Sequence, residues 1–212
     1  MKLKILAVGA HPDDVEIGCA GLLLKAIKSE HDVYVYILTR GEAGGSDGEN
    51  REKEAKKSAR TIGVKELWFG GFSDTRLAPD GVIINSIESI INKIQPNLVL
   101  SHSIKDDHHD HRKVGSSSIE AARYVPNFLT YENPLTKDFI PQVYVDISDQ
   151  IEEKVNLLSL FESQKDKAYL KSLAIQGLAQ YRALQSRIPD VKFAEAFQVL
   201  KLKLFDIQAP FM

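Results

Sequence analysis

Short apolar runs and helical stripes alternate along this chain. Residues 3–9 (Leu-Lys-Ile-Leu-Ala-Val-Gly) form an apolar run closed by glycine, the pattern of a buried strand. Within 15–28, apolar side chains fall at 17, 20, 23, 24 and 27, which lines one face of a helix. Residues 32–38 (Asp-Val-Tyr-Val-Tyr-Ile-Leu) are β-branched and aromatic, hence a second strand. A glycine-rich loop over 40–50 follows, then a helix from Arg51 to about Ile62. The rhythm repeats as a strand at 66–69, a helix at 82–94, a strand at 97–101 after Pro96, and a helix at 112–123. Strands alternating with helical crossovers of this length predict a parallel sheet covered on both faces. From about Pro126 the pattern changes: 128–131 and 143–147 read as strands, 149–163 and 168–186 as helices, and 193–204 as apolar extended segments. No linker, repeat or low-complexity tract interrupts the chain, so 1–212 is expected to be one α/β domain whose segment 126–212 completes the core and pocket.

Composition narrows the class. At 43% hydrophobic and 26% charged, the chain can build a real core and lacks the bias of a disordered one. A net charge of −2, from 27 basic and 29 acidic residues, speaks against gripping nucleic acid through many phosphates. A single cysteine, Cys19, excludes an intrachain disulfide and suits a reducing compartment. The first apolar run covers only 5–10 before His11-Pro12-Asp13-Asp14 interrupts it, too short for a signal peptide. No later stretch has bilayer length, so there is no strong membrane signal and a cytoplasmic protein is expected.

The candidate chemistry gathers where this architecture places function, at the carboxyl ends of strands. His11-Pro12-Asp13-Asp14 follows the first strand, Arg40–Arg51 the second, and Asp106-Asp107-His108-His109-Asp110-His111 the strand ending at Ser101. A catalytic zinc site needs three nitrogen or oxygen ligands and an open position. His11 and Asp14, three apart in a tight loop, can turn to one point, and one histidine of the third cluster would complete the set. Asp13 then stands beside the metal to take a proton from water, and Pro12 stiffens the loop. One such residue alone is usually just solvated, and 105–113 also reads as a solvated charge run. Two clusters at two strand ends of one sheet argue against coincidence. The loop Gly41-Glu-Ala-Gly-Gly-Ser-Asp-Gly48 lacks the Gly-Lys-Ser/Thr of a P-loop and reads as a lid or rim. Gly9-Ala-His-Pro-Asp-Asp places two carboxylates where a dinucleotide fingerprint needs glycines, which excludes pyrophosphate binding there.

Ala7-Val-Gly-Ala-His-Pro-Asp-Asp-Val-Glu-Ile-Gly-Cys-Ala-Gly21 resembles the opening motif of the PIG-L/LmbE-like deacetylases. Further motifs follow in order: Thr39-Arg-Gly-Glu42, Arg51-x-x-Glu54-x-x-x-Ser58-Ala59-x-x-Ile62-Gly63, Phe72-Ser-Asp74, Asp107-His108-His109-Asp110-His111 and Ala194-Glu-Ala-Phe197. The resemblance implies a Rossmann-like, mostly parallel sheet sandwiched between helices. It also implies a zinc hydrolase that removes N-acetyl groups from N-acetylglucosamine-type amino sugars or their conjugates. It makes His11, Asp14 and His111 the ligands of one zinc per chain, with Fe2+ or another divalent metal as alternatives. Asp13 would be the general base. His108, protonated, would stabilise the oxyanion or protonate the amine, with Asp110 as its electrostatic partner. Arg51 and Asp74 would contact substrate. Two departures stand out: His109 occupies the place of a common proline, and Phe193 that of a common tyrosine.

Two other functions fit the same residues: a zinc amidase acting on a non-sugar acyl amide, and a metal- or sugar-binding module without turnover. The presence of Asp13 argues against the second. The expected partner is a small amino-sugar substrate, with a homo-oligomer left open. Weaker signals read blandly. Cys19, Trp68 and Phe69 suit the core, His31 and His102 have no obvious partner, and Ser163-Gln164 suits capping. The segment 126–134 is a candidate for pocket lining or an interface.

Overall fold

The computed structural model describes residues 2–44, 47–78 and 80–203. Strands β1 (Lys4–Gly9), β2 (Asp32–Thr39), β3 (Glu66–Phe72), β4 (Leu98–His102), β5 (Asn127–Tyr131), β6 (Val143–Asp146) and β7 (Ala194–Lys201) form one seven-stranded sheet in the order β3-β2-β1-β4-β5-β7-β6. The first five strands are parallel, and β7 enters antiparallel between β5 and β6.

Alternation along β1 divides the core between the two faces. Ile5 and Ala7 join the cluster that packs α1 (Asp14–Lys28), α2 (Gly48–Ile62), α5 (Ile151–Leu158) and α6 (Ser172–Ser186). Leu6 and Val8 join the cluster under α3 (Asp80–Ile94) and α4 (His109–Ala121). On α3 the buried stripe Ile83, Ile87, Ile91 and Ile94 follows the helical period.

Several boundaries differ from the pattern reading because side chains cap them. The Asp47 carboxylate accepts from Glu49 N, so α2 starts at Gly48, and His108 Nδ1 accepts from Asp110 N, so α4 starts at His109. The expected helix at 149–163 stops at Leu158, leaving a 3₁₀ turn at Glu162–Gln164. That at 168–186 splits into a 3₁₀ turn, Ala168–Leu170, and α6. Of the expected extended segment 193–204, residues 194–201 form β7, and residue 204 lies outside the described residues.

The chain order fixes where a site can form. From β1 it runs outward to β2 and β3, then returns across β1 to lay down β4 and β5. The loops leaving β1 and β4 therefore diverge at their carboxyl ends and open a crevice between neighbouring strands. Among the described residues, no helix is long and apolar enough to cross a membrane.

Candidate active site and metal centre

A cavity of about 280 Å³ fills this crevice, and each of the five parallel strands contributes the loop after it. His11, Asp13 and Asp14 come from β1, Ala43 and Gly44 from β2, Asp74 and Thr75 from β3, His108 and His111 from β4, and Asn133 to Leu135 from β5. Positions 45 and 46 of the glycine-rich loop lie outside the described residues.

The loop after β1 is held tightly. Asp13 caps α1 at φ 101°, a left-handed conformation that costs a non-glycine residue about 1–3 kcal/mol. Its buried carboxylate lies 3.3 Å from Arg51 Nη2, and the same nitrogen donates to Pro12 O at 2.7 Å while Nη1 donates to Gly41 O at 2.8 Å. Arg51 thus clamps the loops after β1 and β2 together, in addition to lining the cavity.

Asp14 is the hub. Its Oδ2 accepts from His11 N at 2.7 Å and Ala10 N at 3.1 Å, and Oδ1 accepts from Asn133 Nδ2 at 2.9 Å. Oδ2 lies 3.3 Å from His11 Nδ1, and Oδ1 lies 3.2 Å from His111 Nε2. His11, Asp14 and His111 therefore converge. His111 Nδ1 lies 3.2 Å from Asp106, whose carboxylate also accepts from His108 N and Thr136 Oγ1. That carboxylate orients the ring so that Nε2 faces Asp14, the arrangement that supports a metal-binding histidine.

The structure places the other anticipated residues less simply. Asp74 accepts from Ala43 N and lies 2.9 Å from His11 Nε2. Asp110 is fully buried, accepts from Thr75 N, and lies 3.2 Å from His11 Nε2. Its carboxylate thus lies against His11 and His109, while its backbone N–H donates to the His108 ring, which also feels the Asp110 charge. His108 lines the cavity, whereas His109 is 54% exposed and turns to Thr75 O. This resolves which of the two histidines faces the pocket.

Charge in this pocket is lopsided. Asp13, Asp14 and Asp74 in its lining and Glu16, Asp106 and Asp110 behind them are all buried, against Arg51 and Lys167 as the lining cations. Burial works against charging His11, yet Asp110, Asp14 and Asp74 outweigh it and hold its pKa well above the usual value. Burial likewise opposes charge on His111, and Asp14 and Asp106 lift it to about 9. Burial pushes Asp13 up to about 7 against the pull of Arg51, with Asp14 adding to the rise. His108 moves the other way, lowered by burial and by its neighbours His111 and His11. Its Nδ1 accepts from Asp110 N, which leaves Nε2 to carry a proton toward the cavity.

The buried carboxylates that favour charge on these histidines favour a bound cation in the same way, and the donors suit a divalent metal. Ligand atoms of His11, His108 and His111 lie within 4.8 Å of one another, as do those of Asp14, His102 and His111, and those of His11, Asp74 and Asp110. Imidazole and carboxylate donors of this kind fit zinc and similar ions.

Three further residues belong to the site: His102, which the sequence reading set aside, and Asp106 and Asn133, which stood in a noted cluster and segment without a role. His102, expected to lack a partner, is 1% exposed and stacks on His111 at 4.1 Å. Its Nε2 accepts from Ala10 N at 3.1 Å and lies 3.2 Å from Asp14. Asp106 and Asn133 hold His111 and Asp14 respectively. The segment 126–134 proves to be β5 and the pocket wall after it. Ser163 donates to Glu54, and Gln164 lines the cavity. Cys19 is fully buried, and Trp68 packs on Tyr34 away from the cavity.

Residues 6–122 match the family described as PIG-L: GlcNAc-PI de-N-acetylase, and the chain belongs to that family. It is 33% identical over 186 residues to diacetylchitobiose deacetylase of Thermococcus kodakarensis, covering 76% of this chain and 70% of that protein. It resembles the structure of N,N'-diacetylchitobiose deacetylase from Pyrococcus horikoshii in complex with an inhibitor, with TM-score 0.81 and 25% identity over 99% of this chain and 87% of that one. The fold also matches GalB, the 4-carboxy-2-hydroxymuconate hydratase of Pseudomonas putida KT2440, with TM-score 0.84 and 21% identity over 96% of this chain and 98% of that one. That last likeness speaks to the fold alone.

Proposed function

We propose that this protein is a zinc-dependent N-deacetylase that hydrolyses the acetamide of an N-acetylglucosamine-type sugar or its conjugate. The observation that carries the reading is the Asp14 carboxylate set between His11 and His111, with the Asp13 carboxylate beside it in the same cavity. His11, Asp14 and His111 would hold the ion, which when bound acts as a Lewis acid and acidifies water.

The residues of the chain supply the rest. Asp13, fixed by Arg51 and by its capping position, takes a proton from the attacking water and returns it to the departing amine. His108, its Nδ1 occupied by Asp110 N, donates from Nε2 to the carbonyl oxygen as negative charge develops there, and one such donor contributes about 3–4 kcal/mol. Asp74 and Asp110 hold the His11 ring, and Asp106 holds His111. Arg51 and Asp74 remain the residues assigned to substrate contact.

The test is acetate release from N-acetylglucosamine, diacetylchitobiose and N-acetylglucosaminides by zinc-loaded protein, with metal content measured alongside. Asp13→Asn should keep stoichiometric metal while kcat falls about 10²–10⁴-fold, the contribution of a positioned base. Asp14→Ala should lose both metal and activity. Near-full turnover by the Asp13 variant would move the base elsewhere, and no acetate from any substrate would overturn the reading.

A further inference from the structure

A second cavity, of about 240 Å³, adjoins the first and shares Ile17, Pro134 and Tyr169 with it. It runs between α1, α6 and β7, and α6 lines it with Ala174, Ile175, Leu178 and Ala179. Its four charged side chains are paired among themselves. Lys154 Nζ donates to Glu195 and to Ile17 O, each at 2.6 Å, and Arg182 grips Glu132 through two nitrogens, Nε at 2.6 Å and Nη2. A hydroxylated ligand would therefore meet groups already engaged, whereas an alkyl chain needs no hydrogen-bond partner.

The wall that the two cavities share stands beside the Asp14 carboxylate. Ile17 stands one helical turn after Asp14, and Pro134 follows Asn133, which donates to Asp14 Oδ1. Asp74, Thr75 and the 43–44 backbone, which can meet sugar hydroxyls, line the first cavity and not the second, with Asp74 against His11 Nε2. During hydrolysis the acyl carbon must lie at the metal, so the part of the substrate nearest Asp14 is the acyl group.

Resting on the deacetylase reading, we infer that the second cavity is an acyl-chain subsite and that the enzyme hydrolyses N-acyl amino sugars with chains longer than acetyl. The chemistry is unchanged: water adds across the amide C–N bond, giving a free carboxylic acid and the amine.

The test is kcat/KM for N-acetyl-, N-butanoyl- and N-hexanoylglucosamine, read as released amine with the zinc-loaded enzyme. The value should rise with chain length, by up to about fourfold per methylene, the factor that ~0.8 kcal/mol per buried CH₂ converts to. Ala174→Trp at the exposed start of α6, and Ala179→Phe within the cavity, should each erase that rise while acetyl turnover stays within about twofold. The exposed position keeps the test valid if the buried variant misfolds. A hexanoyl value equal to or below the acetyl value overturns the inference and leaves the deacetylase reading standing. So does retention of the hexanoyl preference in Ala174→Trp. Gains confined to hexyl glycosides of N-acetylglucosamine would assign the cavity to the aglycone and likewise overturn it. Turnover of none of the series, with acetate still released from diacetylchitobiose, would overturn the inference alone, and no acetate from that substrate either would remove both readings.

Discussion

Glu16 shows how far single residues here depart from solution behaviour. It is 4% exposed, and burial pushes its carboxyl up to about 7 although Ser58 Oγ donates to it at 2.7 Å. An acid whose folded pKa is raised stabilises the fold below its unfolded value, and that contribution is lost as pH rises toward 7. From an ordinary value of 4.5, the shift is worth on the order of 3 kcal/mol. Glu16→Gln keeps the shape and removes the titration. The melting temperature of the metal-free variant, relative to the parent, should therefore be more favourable at pH 8 than at pH 5 by about 5–10 °C. An equal offset at both pH values would mean that Glu16 stays ionised in the fold. Asp13 sits under the same burial pressure, so base function should fail on the acid side, as pH falls through its pKa. A bound cation nearby lowers the pH at which this happens.

At the scale of elements, the notable device is the break in α1. Cys19 leaves helical geometry at φ −150°, ψ 15°, which frees backbone groups on either side. Glu195 from β7 accepts from Gly21 N and Leu22 N, each at 2.8 Å, and Lys154 from α5 donates to Ile17 O. At the break, the Ile17 carbonyl and the Gly21 and Leu22 N–H groups thus find charged partners. Close approach is built in as well: a Cβ on Gly18 would sit 2.2 Å from the Tyr131 ring. Because one partner of a buried ion pair cannot lose the other cheaply, Lys154→Met should destabilise by about 3–5 kcal/mol in urea unfolding. Lys154→Met with Glu195→Gln should recover part of that loss. A loss below about 1 kcal/mol for the single variant would mean that water replaces the lysine.

For the molecule as a whole, the reversal of strand order between β1 and β4 sets where the loops can meet, and the same fold carries a hydratase in Pseudomonas putida. Side chains on the loops, not the sheet, therefore decide the reaction. Those side chains also tie stability to the ion. With metal at about 1,000 times its Kd, binding contributes ~4 kcal/mol, so chelation should lower Tm by about 8–16 °C for a chain of this size. Calorimetry with and without chelator checks this. No difference would mean the carboxylate cluster stands without a cation.

The sequence by itself determined what is local or periodic. The alternation of strands and helices was legible because each amphipathic period is written over a dozen residues. His11, Asp13 and Asp14 were legible because four consecutive positions at a strand end carry the chemistry, and His111 because it sits in a matching cluster. Only the tertiary structure decided His102, whose partners Ala10 and Asp14 lie about ninety positions away and meet it because β1 pairs with β4. The same holds for Asp106 and Asn133, ordinary loop residues until the fold turns them toward His111 and Asp14. Asp110 was read as the companion of His108, and only the fold shows that its carboxylate also lies against His11. The second cavity leaves no trace in any one segment, because α1, α5, α6 and the strands beside them enclose it jointly.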